Sequence, residues 1–255
     1  MGLQANVVPV SEITSQQRDD MYGVMTRYFD DVHRPIFERD LDEKSWVFLL
    51  TETETGKICG FTTLLLLDAV IDNKPVRAFY SGDTVLEHAY RSSLALERAW
   101  IAFAAEIIEQ YPNHSWYWFM ICNSFRSYRY LSVFAKKFHP HPILTTPAYE
   151  KKVMDTFARK KFGDAYDQEK GVVRIPMGCR LKPGICDINE RELRNPFVAY
   201  FQEMNPEWQE GVELACLMSL ELDNYQPAVF RFLKQELDLL KKTSPILHQP
   251  IEITP

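Results

Sequence analysis

Several things are scarce in this chain, and each scarcity removes a class of function. No long run of one charge sign interrupts its 255 residues, and the net charge is only −6. The short basic pairs, Lys136-Lys137 and Lys160-Lys161, read as solvated helix faces, so no nucleic-acid partner is expected. The longest apolar run, inside "FTTLLLLDAVI", is far too short to span a bilayer. The opening "MGLQANVVPVSEITSQQ" has no basic start and no apolar stretch of a secretory signal. Gly2 is present, but Asn6 replaces the Ser or Thr that a myristoylation signal needs. The expectation is a cytoplasmic protein with no membrane partner.

Cysteine is also sparse, and its number is odd: Cys59, Cys122, Cys179, Cys186 and Cys216. Three of these lie in apolar runs, which fits buried thiols better than a disulfide framework. The spacing of Cys179 and Cys186 matches no common zinc knuckle. His139 and His141 stand alone, so no metal is expected. No elbow motif presents a serine nucleophile. Internal repeats and low-complexity linkers are missing as well.

What the chain does have is apolar mass. It is 46% hydrophobic, with 16 Phe, 12 Tyr and 5 Trp, enough for one large globular unit with a real core. "ANVVPV" reads as a first strand. A helix follows, with Thr14 or Ser15 as N-cap and Met21, Val24, Met25, Tyr28 and Phe29 on one stripe. "HRPIFERDLDEK" is a short helix or turn. "SWVFLLTE", "KICGFTTLLLLDAV" and "VRAFYSGDTVLE" are strands with short, breaker-rich connections, hence an antiparallel meander. "SSLALERAWIAFAAEIIEQ" is a helix apolar around most of its circumference, hence largely buried. "SWYWFMIC" is a strand buried on both faces, and "NSFRSYRYLSVFAKKF" is a helix opening at Asn123. The helical crossover makes the strand at 115–122 parallel to that at 76–87. Past Pro140 a helix, a strand, a mostly helical stretch, a strand and a last helix from Pro227 are expected. The fold class is α+β with a mixed sheet: a core at 1–140 and an elaboration at 141–255, within one domain over 1–255.

The element order, with "HAYRSSLALERAW" between a strand and a helix, resembles the GNAT superfamily of N-acetyltransferases. The family's donor motif is Arg or Gln, two residues, Gly, one residue, then Gly or Ala. Here these positions hold Arg91, Leu94 and Leu96, so the arginine is kept and both small residues are leucine. A second motif, Asn at a strand end and Tyr seven residues later, is matched by Asn123 and Tyr130. The Gly-Phe that usually follows is absent. The resemblance covers roughly 5–140 and the late strand at 211–219.

The resemblance implies an acyltransferase that moves an acyl group from a thioester to a small-molecule amine, with acetyl-CoA or a longer acyl-CoA as co-substrate. Amides at a helix start bind anions, so Arg91, Ser92, Ser93, Leu94, Ala95 and Leu96 are expected at the donor's phosphates. The backbone at Leu86 is expected, as a bulged segment, to hold the pantetheine arm, and Asn123 completes the donor set. Tyr130, with Tyr128 as its alternative, would protonate the departing thiolate. Asp83, a carboxylate within a strand suited to burial, would take the proton of the amine. The competing reading of Asp83 is a carboxylate bonded to backbone near Gly82, and Glu87 and His88 are alternative bases. Tyr22, Tyr28, Phe29 and Phe37 would wall the acceptor pocket. Two other readings remain open: a donor carried on an acyl-carrier protein, which needs a weaker phosphate cradle, and an inactive binding or regulatory module of the same fold.

Overall fold

A computed structural model describes residues 2–229. Beyond Val229, the helix expected from Pro227 lies outside the described residues. In chain order the elements are β1 (Leu3–Pro9), α1 (Ser15–Tyr28), β2 (Phe29–Asp30), α2 (Arg34–Asp42), β3 (Trp46–Glu52), β4 (Ile58–Ile71), β5 (Lys74–Leu86), α3 (Ala95–Gln110), β6 (Ser115–Cys122), α4 (Phe125–Phe134) and α5 (Ala148–Phe162). The remainder comprises β7 (Tyr166–Asp167), β8 (Val172–Val173), β9 (Arg180–Leu181), α6 (Glu190–Leu193), α7 (Pro196–Met204) and β10 (Glu213–Ser219).

Eight strands form one mixed sheet in the order β1-β3-β4-β5-β6-β10-β8-β7. Only β5 and β6 pair in parallel, because helix α3 carries the chain between them. The strands expected late in the sequence do extend this sheet: β10 pairs with β6, and β8 pairs with β10.

Alternation along β6 sets the layers. Trp116, Trp118, Met120 and Cys122 pack with α3, α4 and α7 on one face. Tyr117 and Phe119 pack with Val153, Met154 and Phe157 of α5 on the other. Helices α1 and α2 cover the outer part of that second face through Met21, Val24, Phe37 and Leu41 against Val47, Leu49 and Phe61. Truncating a fully buried ring such as Phe119 to Ala would cost about 3–5 kcal/mol.

Helix starts follow their caps. At α1, Thr14 accepts from the Gln17 amide and Gln17 returns the bond, a reciprocal capping box. Two other starts differ from expectation. Helix α4 opens at Ser124, whose Oγ accepts from the Ser127 amide at 3.3 Å; Asn123 stands one residue outside it. Helix α3 begins only at Ala95, with Leu94 at the cap position and no side-chain cap. A short 3-10 turn over His88–Tyr90 comes first, and Ser93 Oγ accepts from the Ala95 amide at 3.2 Å. Arg91, Ser92 and Ser93 are therefore a turn before the helix rather than its first residues.

The feature that creates a site is the end of the parallel pair. Pairing of β5 with β6 stops at Ser81↔Met120, although β5 runs to Leu86 and β6 to Cys122. The two strands splay apart beyond that point, as the helical crossover leads one to expect. On its other side β5 carries a bulge: Thr62 pairs with Thr84 and Leu64 with Ser81. Gly82 and Asp83 thus stand opposite the single residue Thr63. The bulge was expected at Leu86; Leu86 instead pairs in register with Gly60. Gly82 suits the bulge because a Cβ there would come within 2.4 Å of Thr63 Oγ1 and 2.8 Å of Lys44 Cε.

Candidate active site

A cleft of about 490 Å³ opens where β5 and β6 separate. It reaches both faces of the sheet, since its lining includes Trp118 and Phe134 of one layer and Tyr80 and Phe162 of the other. Six of the residues expected for catalysis and donor binding line it: Asp83, Leu86, Arg91, Leu96, Asn123 and Tyr130. Ser92, Ser93, Leu94 and Ala95 do not belong to its lining. Leu94 is 45% exposed, so its bulk is not part of the cleft wall.

On the α2 side the cleft holds an unbalanced set of charges. Asp83 comes from the bulge of β5, Glu213 from the first residue of β10, and Asp40 from α2. Asp40 is fully engaged. Lys44, whose side chain is wholly buried, pairs with its carboxylate and donates to its backbone carbonyl at 2.9 Å. Lys161 lies 3.5 Å from the same carboxylate. Both ammonium groups also lie over the Tyr80 ring, at 5.8 and 5.9 Å.

Among the described residues Asp83 and Glu213 have no ion-pair partner. Burial and the nearby Asp40 charge push the Asp83 carboxyl up to about 6, against a pull downward from Lys44 and Lys161. Burial and the charges of Asp83 and Asp40 push Glu213 up to about 8. Both carboxyls therefore keep their protons to higher pH than ordinary carboxylates do. Among the described residues no hydrogen bond joins the Asp83 carboxylate to the backbone near Gly82. Glu87 is committed to ion pairs with Arg27 and with Lys57 at 3.2 Å, and His88 is exposed outside the cleft.

Glu213 was not anticipated. In "GVELACLMSLEL" it looks like the polar first residue of an apolar strand. Only the sheet order, which sets β10 beside β6, brings it to the splay.

On the α3/α4 side the cleft is aromatic. Tyr130 stacks on Phe134 with ring centroids 5.9 Å apart, and its hydroxyl donates to Glu97 Oε1 at 2.8 Å. Burial and the Glu97 charge push the phenol well above its ordinary value, so it stays protonated across the working pH range. The alternative, Tyr128, is excluded by geometry: it is fully buried and donates to the Pro140 carbonyl at 2.8 Å. Arg91 and Arg126 line the mouth.

The C-terminal part closes one wall through Ile175, Cys179, Leu181 and Cys186. It is held there by the β2–β9 pairing and by the Lys182 amide donating to the Tyr28 carbonyl at 3.0 Å. Of the residues expected to wall an acceptor pocket, Tyr28, Phe29 and Phe37 line the cleft; Tyr22 does not, and packs edge-on against Phe37 at 5.5 Å. All five cysteines are free thiols. Among the described residues no cluster of His, Cys, Asp or Glu is arranged to hold a metal ion, and no helix is long and apolar enough to cross a membrane.

No protein-family profile matches the chain, and no curated protein is similar to it. Solved structures do resemble it. Glucosamine-6-phosphate N-acetyltransferase from Arabidopsis thaliana is 13% identical over 52% of this chain and 89% of that chain, with a TM-score of 0.37. The GNAT family N-acetyltransferase YhbS from Escherichia coli, solved with CoA, is 13% identical over 59% of this chain and 79% of that one, at 0.36. N-myristoyltransferase from Saccharomyces cerevisiae, solved with myristoyl-CoA, is 12% identical over 48% of this chain but only 29% of its own, at 0.35. Likeness this distant fixes neither activity nor substrate, and the residues of the cleft must carry both.

Proposed function

We propose that this chain is a divergent GNAT-type N-acyltransferase that moves an acyl group from a thioester to an amine. The observation that carries the reading is the pairing of chemistries across one cleft: unpartnered carboxylates on one side of the splay and a protonated phenol on the other. In this reading the amine enters between Asp83 and Glu213. As its nitrogen bonds to the thioester carbonyl carbon, its proton passes to the carboxylate pair. The C–S bond then breaks, and the thiolate takes a proton from Tyr130, which solvent restores. The Tyr130 hydroxyl must exchange Glu97 for the thiolate in that step. Confinement in the cleft aligns the two reactants, which is worth several kcal/mol of the barrier.

Acyl-CoA is the donor favoured here, with its phosphates at Arg91, Arg126 and the open amides at the start of α3. A carrier-protein donor is the second reading. The exposed Arg126 and Arg129 on α4 favour it, because they form a basic face for an acidic protein.

Titration with acetyl-CoA, a long-chain acyl-CoA and free CoA tests the proposal, read by melting temperature and, with an amine panel, by thiol release. Ligand binding to the folded state raises Tm with concentration. No shift and no thiol release with any thioester would sink the acyl-CoA reading.

A further inference from the structure

Among the described residues, eight buried side-chain polar atoms lack a hydrogen-bond partner, and two of these belong to the cleft wall: Glu97 Oε2 and Trp100 Nε1. Both are on α3, three residues apart, and so lie on one helix face about 4.5 Å apart along the axis. Trp100 is only 5% exposed. Its neighbour shows what a settled indole looks like here. Trp118 packs 4.4 Å away and donates its N–H to Ser81 Oγ at 2.8 Å. The Trp100 N–H has no such acceptor. Glu97 is half settled, since Oε1 accepts from Tyr130 and Oε2 accepts from nothing. An unmade buried bond of either kind carries a desolvation penalty, and native proteins rarely leave one without a reason.

We infer that Trp100 and Glu97 are positioning residues for the thioester donor, reading secondary amides in its arm. Trp100 donates to a carbonyl oxygen of the arm, and Glu97 Oε2 accepts from an amide N–H. A pantetheine-type arm carries two amides in succession and offers both groups along one edge. The walls around the pair, Leu96, Trp118 and Phe134, are apolar and suit the methylenes between the amides. Through Oε1, Glu97 also fixes the Tyr130 hydroxyl, so an arm seated on Oε2 would bring its sulfur end to a phenol already held in place. This inference rests on the acyltransferase reading.

The test is calorimetric titration of wild type, Trp100→Phe and Glu97→Gln with CoA and with adenosine 3′,5′-bisphosphate, which has the phosphates but no amide arm. Loss of one neutral hydrogen bond should weaken CoA about 3- to 10-fold in Trp100→Phe. Glu97→Gln should weaken it about 3- to 10-fold, because a charged acceptor becomes a neutral one. The bisphosphate should bind all three proteins alike. Where Trp100→Phe fails to fold, the isosteric benzothiophene analogue of the indole removes only the N–H. Unchanged CoA affinity in a folded variant overturns the inference, and so does an equal loss for both ligands, which signals general damage. Wild type binding neither CoA nor a phosphopantetheine thioester overturns the acyltransferase reading itself, and this inference with it.

Discussion

The two halves of the cleft solve the problem of buried polarity in opposite ways. Next to α2, charge is gathered and left in deficit: Asp40 pairs with Lys44 and shares Lys161 with Glu43, and among the described residues Asp83 and Glu213 have no ion-pair partner. Next to α3 and α4 the inner surface is largely aromatic, with Arg91 and Arg126 at its mouth; Tyr130 bonds Glu97, and Glu97 Oε2 and Trp100 Nε1 are unpaired. On the proposed reading, the difference separates a half that would accept the amine's proton from a half that would hold the donor arm and return a proton through Tyr130. Carboxylates pushed toward neutral pH are useful as proton acceptors. A dry aromatic wall with one donor and one acceptor is useful for orientation.

The strongest way to break this comparison is to disarm the acidic half. Asp83→Asn combined with Glu213→Gln should lower kcat by about 10²- to 10⁴-fold, the usual worth of a general base, while donor affinity stays near that of wild type. The single variants sharpen the point. With carboxyls at about 6 and about 8, the wild-type rate should climb with pH across that window as the pair loses its protons. Either single variant should collapse the climb to one step. A pH–rate profile unchanged in both would assign the proton to some other group.

In the aromatic half, Tyr130→Phe should cost less, about 10²-fold in kcat or below. A thiolate is a far better leaving group than an alkoxide, with a thiol pKa of about 8.5, and needs less help from an acid. Donor affinity should hardly change, since the ring and its stacking on Phe134 remain. An active enzyme indifferent to this substitution would mean that water protonates the thiolate.

Why some of this was readable in the chain and some was not comes down to range. Asp83 could be singled out locally, as a carboxylate inside a strand suited to burial, and Tyr130 through the motif resemblance that ties it to Asn123; both line the cleft. The meander, the helical crossover and the parallel pair followed from period and connection length, which are also local. Glu213 reaches the site only through sheet order, and no local pattern marks it. The two-residue strands β2 and β9 exist because two distant segments meet, and neither has enough residues to show alternation. The start of α3 was misplaced because Ser92 and Ser93 look like caps, whereas the chain turns once more before Leu94. Trp100 and Glu97 read as an ordinary buried helix and its wet edge; their missing partners are visible only in three dimensions.

A smaller effect concerns stability. Both carboxyls are raised above the values of an unfolded chain, near 4, so the folded state binds more protons than the unfolded one at neutral pH. That contribution is complete below about pH 4 and is lost as pH rises through about 6 and about 8. Glu213→Gln removes one source of the loss. The variant should therefore gain on wild type in Tm between pH 5 and pH 9. Parallel Tm curves would mean that Glu213 is better hydrated than its position suggests.

The smallest expected effect lies at the mouth, where the two halves share an entrance. Leu94 occupies the cap position of α3 with no side-chain bond to the open amides, and nearly half of it is exposed. Leu94→Gly acts twice. Gly is a better cap residue than Leu, by up to about 1 kcal/mol, so Tm without ligand should rise slightly. Removing the side chain also lets a phosphate approach the amides of the first turn more closely, so CoA should bind a few-fold tighter. The two readouts separate the causes, because the ligand-dependent increment in Tm reports the cradle and the ligand-free Tm reports the cap. A higher ligand-free Tm with no change in CoA affinity would move the donor's phosphates away from the start of α3 and toward Arg126 and Arg129 on α4, the face that a carrier protein would use.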